Sequence, residues 1–353
     1  MRVDRARLEA LVERTFGDVG VSMSAALVVL GDRLGLYRAL ARHGPSTPKE
    51  LADHTGTVER NVREWLRAQA AAAYVDYDAD TGRFALSPEQ EAVFADDSGM
   101  ACMLGGFQLA VSAGRSVDRL EQSFRTGCGV GWHEHDAGVP EGTARFFRPA
   151  YATHLFAGWI PALDGVEARL RSGAKVADVG CGRGVSTMLL ARSFPASTFF
   201  GFDDHAASIA CADGTARSLG LASRCRFEAH GAKSFPGSGY DLVAFLDCLH
   251  DMGDPVGAMR HAHAALAEDG TAMIVEPLAG DSVEQNLTPV GRVYYAASTL
   301  VCTPASLAQE VGSALGAQAG WTRLRDVLAE AGFARVRKAA ETRHHMVLEA
   351  RKG

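Results

Sequence analysis

Apolar residues recur at helical spacing in the first quarter of the chain and as short strand-like runs in its second half. Within Ser22–Leu40, Met23, Leu27, Leu30 and Leu34 fall three and four apart, which makes one helical stripe wide enough for a partner. Ser46-Thr-Pro-Lys-Glu then supplies a capping residue and a helix running to His54. Thr55-Gly-Thr57 turns the chain, and Val58–Ala73 is a longer amphipathic helix. Tyr74–Tyr77 and Arg83–Leu86 flank Asp78-Ala-Asp-Thr-Gly82, a hairpin signal. Helix, turn, helix and hairpin predict a winged helix over residues 1–95, completed by Leu36–Leu40 and Glu89–Phe94. Residues 96–170 read as a connecting helical segment rich in glycine and aromatic residues.

From Val176 onward the period changes. Strands are predicted near 176–179, 198–202, 224–228, 240–246 and 271–275, with helices near 185–193, 206–219 and 254–267 between them. That alternation predicts an α/β fold with a doubly wound, mostly parallel sheet. A mainly helical insertion over 278–320, a helix at 321–331 and closing strands near 334–339 and 344–350 complete a seven-stranded domain over 171–353.

Composition narrows the setting. The 353 residues fit two domains better than one, and 47% hydrophobic with 22% charged residues is ordinary for a soluble chain. A formal charge of −6 argues against nucleic acid or an anionic membrane as partner. The apolar stretch Ala25–Leu30 is too short for a signal segment or a membrane span. Seven scattered cysteines without a C-x-x-C pair fit a reducing compartment, so a cytoplasmic protein is expected.

The chemistry starts at Asp178-x-Gly180-x-Gly182-x-Gly184, where an apolar strand breaks into three glycines before a helix. Glycines let a backbone turn sharply and approach a ligand closely. A dinucleotide fingerprint counted from Gly180 would need glycine at Val185, so the loop suits a cofactor without pyrophosphate. Asp203, about 20 residues on and at the next strand's tip, is placed to accept ribose hydroxyls, and Gly231-Ala232-Lys233 to border the adenine. Asp247, His250 and Glu276 fall at the carboxyl ends of the fourth and fifth strands, where ligands bind in open α/β sheets.

The glycine loop resembles motif I of the class I S-adenosylmethionine-dependent methyltransferases. The segment Cys248-Leu-His-Asp-Met-Gly-Asp254 with Val275-Glu-Pro277 is similar to small-molecule O-methyltransferases, and to actinobacterial methyltransferases labelled transcriptional regulators for their winged helix. The resemblance implies S-adenosylmethionine as cofactor, a small, hydroxylated aromatic acceptor, and a homodimer formed through the amino-terminal module. It implies His250 as general base and Glu276 as the group orienting its ring. It departs at Gln318, near where the family carries a second orienting Glu, and at Met252, where the family carries Trp.

An aromatic wall is expected around the methyl donor and acceptor. Phe147 and Tyr151 are placed on the cofactor, since aromatic faces stabilise sulfonium-like cations. Trp132, His133, His135, Tyr294 and Tyr295 are placed on the substrate. In an extended segment His133 and His135 point to one side, but no third ligand follows, so no metal is expected. Two rival readings stay open: a DNA-binding regulator that senses S-adenosylmethionine through Arg60, Arg63 and Arg67, and a cofactor-binding scaffold without turnover.

Overall fold

The structure is a computed structural model describing residues 3–353. It divides into two compact units: the described residues up to Val111 with Glu141–Pro149, and Ser112–Pro140 with Ala150–Gly353.

The first unit opens with α1 (Arg5–Arg33), which Asp4 caps by accepting the Arg7 N–H. Helices α2 (Leu36–His43), α3 (Pro48–Thr55) and α4 (Glu59–Ala71) follow, then the antiparallel ribbon β1 (Asp76–Asp78) and β2 (Arg83–Ala85), and α5 (Pro88–Phe94). Reciprocal capping boxes, Thr47 with Glu50 and Ser87 with Gln90, start α3 and α5. Leu40, Leu51, Leu66, Phe84 and Phe94 close the core of the expected winged helix. At Gly31 a Cβ would come within 2.4 Å of the Trp65 ring, so only glycine lets α1 seat on α4.

Only the carboxyl-terminal part of α1 is buried, at Val28, Val29 and Gly31. Leu8, Val12, Phe16, Val19, Met23 and Leu30 are exposed along the rest. This corrects the short apolar stretch read from the sequence. Residues 19–31 carry no charge, so Ala25–Leu30 is one part of a 29-residue helix that is long and apolar enough, by length and composition, to cross a membrane.

Helix α6 (Leu104–Gly114) leads towards the second unit, which holds α7 (Val117–Thr126), the two ends of α8 (Gly138–His154), a π-type turn at Leu155–Trp159, and α9 (Val166–Ser172). Then come β3 (Lys175–Val179), α10 (Val185–Ser193), β4 (Thr198–Asp203), α11 (Ala206–Ser218), β5 (Cys225–Ala229), β6 (Tyr240–Leu246), α12 (Pro255–Ala265) and β7 (Leu266–Pro277). The insertion carries α13 (Pro289–Ala297), a second π-type turn and α14 (Thr303–Leu307), and α15 (Gly320–Glu330) precedes the hairpin of β8 (Arg335–Glu341) and β9 (His345–Arg351).

The seven strands lie in the order β5-β4-β3-β6-β7-β9-β8. The first five are parallel, and β9 runs antiparallel to both β7 and β8. Strand order reverses between β3 and β6, so the ligand crevice of such a sheet lies at their carboxyl ends. Val176, Ala177, Val243, Ala244, Phe245 and Ile274 are fully buried, as central strands covered on both faces require.

Candidate active site

The glycine loop leaves β3 at this switch point. Gly180, Gly182 and Gly184 all adopt positive φ (+71°, +52° and +75°), which other L residues resist. A Cβ at Gly180 would lie 2.7 Å from the Cys248 Sγ, whereas one at Gly182 would meet nothing within 4 Å. The loop is packed against the end of β6 on one side and open above its middle glycine. That open backbone cradle, which a side chain would fill, fits the amino-acid half of S-adenosylmethionine.

Two carboxylates brace the cradle. Asp178 is buried, and its Oδ2 accepts from Ser186 Oγ (2.6 Å) and Thr187 Oγ1 (2.5 Å), fixing the start of α10. Burial pushes its carboxyl up to about 6, against the pull of those hydroxyls. Asp203, half-buried at the tip of β4, accepts the Gly182 N–H at 2.8 Å on Oδ2 and the His205 N–H at 2.9 Å on Oδ1. Burial likewise raises its proton affinity. Gly231 and Ala232 are half-buried after β5, and the exposed Lys233 pairs with Asp254 (3.1 Å) and Glu310 (2.8 Å).

Beside the loop, β6 delivers Asp247 and then a short 3-10 turn carrying His250. His250 Nδ1 lies 2.5 Å from Glu276 Oε2, while Glu276 Oε1 accepts the Leu249 N–H at 2.9 Å. Both side chains are buried. Burial disfavours the charged imidazole, but the Glu276 carboxylate and the Cys302 thiol beside the ring outweigh it, so His250 holds its proton well above the ordinary histidine range. Asp251 next door is pushed up to about 7 by burial, with His250 opposing.

Asp247 has φ +51°, a left-handed conformation that Asp tolerates better than most residues. Its Oδ2 accepts from the Tyr151 hydroxyl at 2.9 Å, and its Oδ1 lies 3.4 Å from His345 Nε2. Burial and then Asp247 push the Tyr151 phenol well above its usual range. Tyr294 is buried beside Cys302, and burial, then the charges of Asp247 and Glu276, push its phenol above the usual range.

The structure thus gathers Tyr151, Asp247, His250, Glu276 and Tyr294 at one sheet edge. The other expected wall residues have different settings. Residues 132–134 form a 3-10 turn, which corrects the extended segment assumed for the histidine pair. His133 is exposed and His135 buried, 3.2 Å from Ser116 Oγ, so the two rings do not share a face. Gly131 admits the turn by letting His133 fold back over it. Trp132 is half-buried, and Tyr295 stays at the surface near Asn286. Phe147 belongs to Glu141–Pro149 in the first unit, where it meets Phe146 edge-on at 5.2 Å. Gln318 turns to the neighbouring Ala317 carbonyl. His345 and Trp159 were not legible as site residues. The one sequence signal was the His344-His345 pair just ahead of the apolar run Met346-Val-Leu348.

Among known proteins, residues 170–332 match the family model of a methyltransferase domain, and residues 22–95 that of an Rv2258c-like winged HTH domain. The chain therefore carries a methyltransferase domain preceded by a winged HTH domain. Its fold is similar to that of the mitomycin 7-O-methyltransferase (22% identity, TM-score 0.70), with 98% of this chain and 99% of that one covered. Human N-acetylserotonin methyltransferase, solved with S-adenosylmethionine, is similar at 16% identity over 99% of each chain, with a TM-score of 0.69. The O-methyltransferase of neocarzinostatin biosynthesis, solved with S-adenosylmethionine and 2-hydroxy-5-methyl naphthoic acid, has 19% identity and a TM-score of 0.61 over 93% of this chain and 95% of that one. No curated protein matches the chain.

Proposed function

We propose that this enzyme methylates the oxygen of a small, hydroxylated aromatic molecule, with His250 as the general base. The carrying observation is the buried His250–Glu276 pair at the carboxyl ends of β6 and β7, next to the glycine loop. Bound S-adenosylmethionine supplies an electrophilic methyl group. Gly180, Gly182 and Gly184 hold its amino-acid half, Asp203 its ribose, Gly231-Ala232-Lys233 border the adenine, and Asp247 with Tyr151 faces its sulfonium end. Glu276 fixes the imidazole through Nδ1, which leaves Nε2 to take the acceptor proton. Tyr294 and Tyr295, with Trp132, His133 and His135, are assigned to the acceptor wall. Incubation with methyl-labelled donor and a panel of hydroxylated aromatics should give labelled methyl ethers together with S-adenosylhomocysteine. Labelled ring carbon or nitrogen instead would reject the oxygen assignment.

Replacing Asp203 by Ala removes a charged acceptor and the brace on Gly182. Calorimetry should register a loss of about 1.5–3 kcal/mol in donor affinity, and unchanged affinity would rule out the ribose assignment.

The regulator reading loses support from α4. Arg60 pairs with Glu64 at 2.5 Å and Arg63 with Glu59 at 2.6 Å, so most of its basic stripe is neutralised within the helix. The exposed apolar face of α1 fits self-association instead. Val12, Phe16, Val19 and Met23 recur at three- and four-residue steps, with Leu30 a further seven residues on, a seam a second copy would cover. Light scattering on the cytoplasmic, full-length protein should report a homodimer that Phe16→Asp weakens. A monomer, or protein held only on lipid vesicles, would contradict this.

A further inference from the structure

The active-site edge holds a second histidine–carboxylate pair that the base mechanism does not use. In the first pair the loop after β6 supplies the histidine and a strand end supplies the carboxylate, Glu276. In the second the polarity is reversed: the same loop supplies Asp247, and the start of β9 supplies His345. Antiparallel pairing sets Pro277 opposite His345 and Glu276 opposite Met346, so the two pairs sit on adjoining strand ends.

His345 is almost wholly buried, and the Trp159 ring stands edge-on to it at 5.3 Å. Asp247 faces it at 3.4 Å, and Asp247 in turn holds the Tyr151 hydroxyl at 2.9 Å. The residue after Asp247 packs on the glycine loop, since a Cβ on Gly180 would meet the Cys248 Sγ at 2.7 Å. The carboxylate therefore borders the cofactor cradle, with a titratable ring behind it. Burial opposes charge on His345, but Asp247 and then Glu276 outweigh it and raise its proton affinity. His154 and His344 also sense its charge from α8 and the β8–β9 turn, and Tyr294 senses both carboxylates.

We propose that His345 is a positioning residue whose protonation sets how much negative charge Asp247 presents to the sulfonium of the methyl donor. This rests on the placement of Asp247 at the sulfonium end of the cofactor. With His345 protonated, the pair is neutral and attracts the cation weakly. With His345 neutral, Asp247 stands as a bare carboxylate and binds the cation more strongly. Attraction to a charge that disappears as the methyl departs stabilises the bound donor more than the transition state, so it slows transfer. A protonated His345 avoids that penalty and still fixes the carboxylate together with Tyr151.

S-adenosylmethionine carries the sulfonium and S-adenosylhomocysteine does not, while their amino and carboxyl groups are shared. The ratio of their affinities therefore isolates this charge. Calorimetric titration of the full-length protein with each compound, from pH 6 to pH 9, should show the preference for S-adenosylmethionine rising about tenfold with pH, as expected for a one-unit interaction. His345→Gln should hold the high ratio at every pH. Asp247→Asn, alone or combined with His345→Gln, should lose this rise, which separates it from titration of His250 and Asp251 nearby. A ratio that is flat in the wild type, or that His345→Gln leaves following the wild-type curve, overturns the proposal. The wild-type curve needs no substitution, so a variant that fails to fold does not remove the test. Failure of both compounds to bind the wild type would instead overturn the donor assignment itself, and this proposal with it.

Discussion

Replacing His250 by Ala or Asn will lower turnover by about 10²–10⁴-fold, the range for losing a positioned general base, and leave donor affinity near the wild-type value. The imidazole touches Glu276 and Cys302, whereas the glycine cradle is built by other residues. Rate and binding should therefore separate, with kinetics reading the first and calorimetry the second. The pH dependence has a defined sign. Glu276 raises the proton affinity of His250 despite its burial. Only the neutral ring accepts a proton, so the rate with an un-ionised hydroxyl should climb as pH passes a midpoint above the ordinary value of about 6.5. Glu276→Gln should move that limb to lower pH. The stability the pair contributes runs the opposite way. It is fully present below the unfolded-state value of about 6.5 and is lost as pH rises through the higher folded-state value. Thermal melting across that window should show wild type losing stability relative to His250→Asn.

Placing Val at position 182 will reduce affinity for S-adenosylhomocysteine by about a hundredfold, yet leave the protein folded. The position has φ +52°, which costs a β-branched residue about 1–2 kcal/mol. It has nothing within 4 Å of its Cβ, so the folded chain makes room without repacking. The new methyl groups stand in the space assigned to the cofactor, where intrusion adds about 1–3 kcal/mol. Gly180→Val gives the contrasting result. Its Cβ would drive into the Cys248 Sγ and Cβ at 2.7 and 2.9 Å, so the melting temperature should fall along with affinity. Full affinity in Gly182→Val would place the cofactor elsewhere.

Most of the fold was legible because its signals are local. The buried parallel strands read as apolar runs, and the observed bounds of β3, β4, β5 and β6 fall within about a residue of the expected ones. Strand β7 begins earlier, at Leu266, because its first residue bridges Tyr240 across an irregular step in the pairing. The placement of Asp203 and the three glycines along the sheet edge was legible from spacing, and that of Asp247, His250 and Glu276 from the predicted strand ends. What spacing could not carry was contact across the sheet. Asp178 and Asp203 turn inward to brace the loop, because Ser186, Thr187 and Gly182 offer donors close by. His345 reaches Asp247 only because β9 inserts next to β7, a neighbour relation set by strand order. The short 3-10 turn at His133 was hidden for a different reason: a two-residue histidine spacing looks the same in a turn as in an extended segment.

The central claim is that His250 removes the acceptor proton. It is tested most directly by comparing His250→Ala with wild type on two acceptors, a phenol acidic enough to be ionised at the assay pH and a hydroxyl that stays neutral. A base is needed only where a proton is present, so the ionised phenol should lose little rate, and the neutral hydroxyl should lose the full factor of about 10²–10⁴. Equal losses on both acceptors would mean that His250 positions the acceptor and does not deprotonate it.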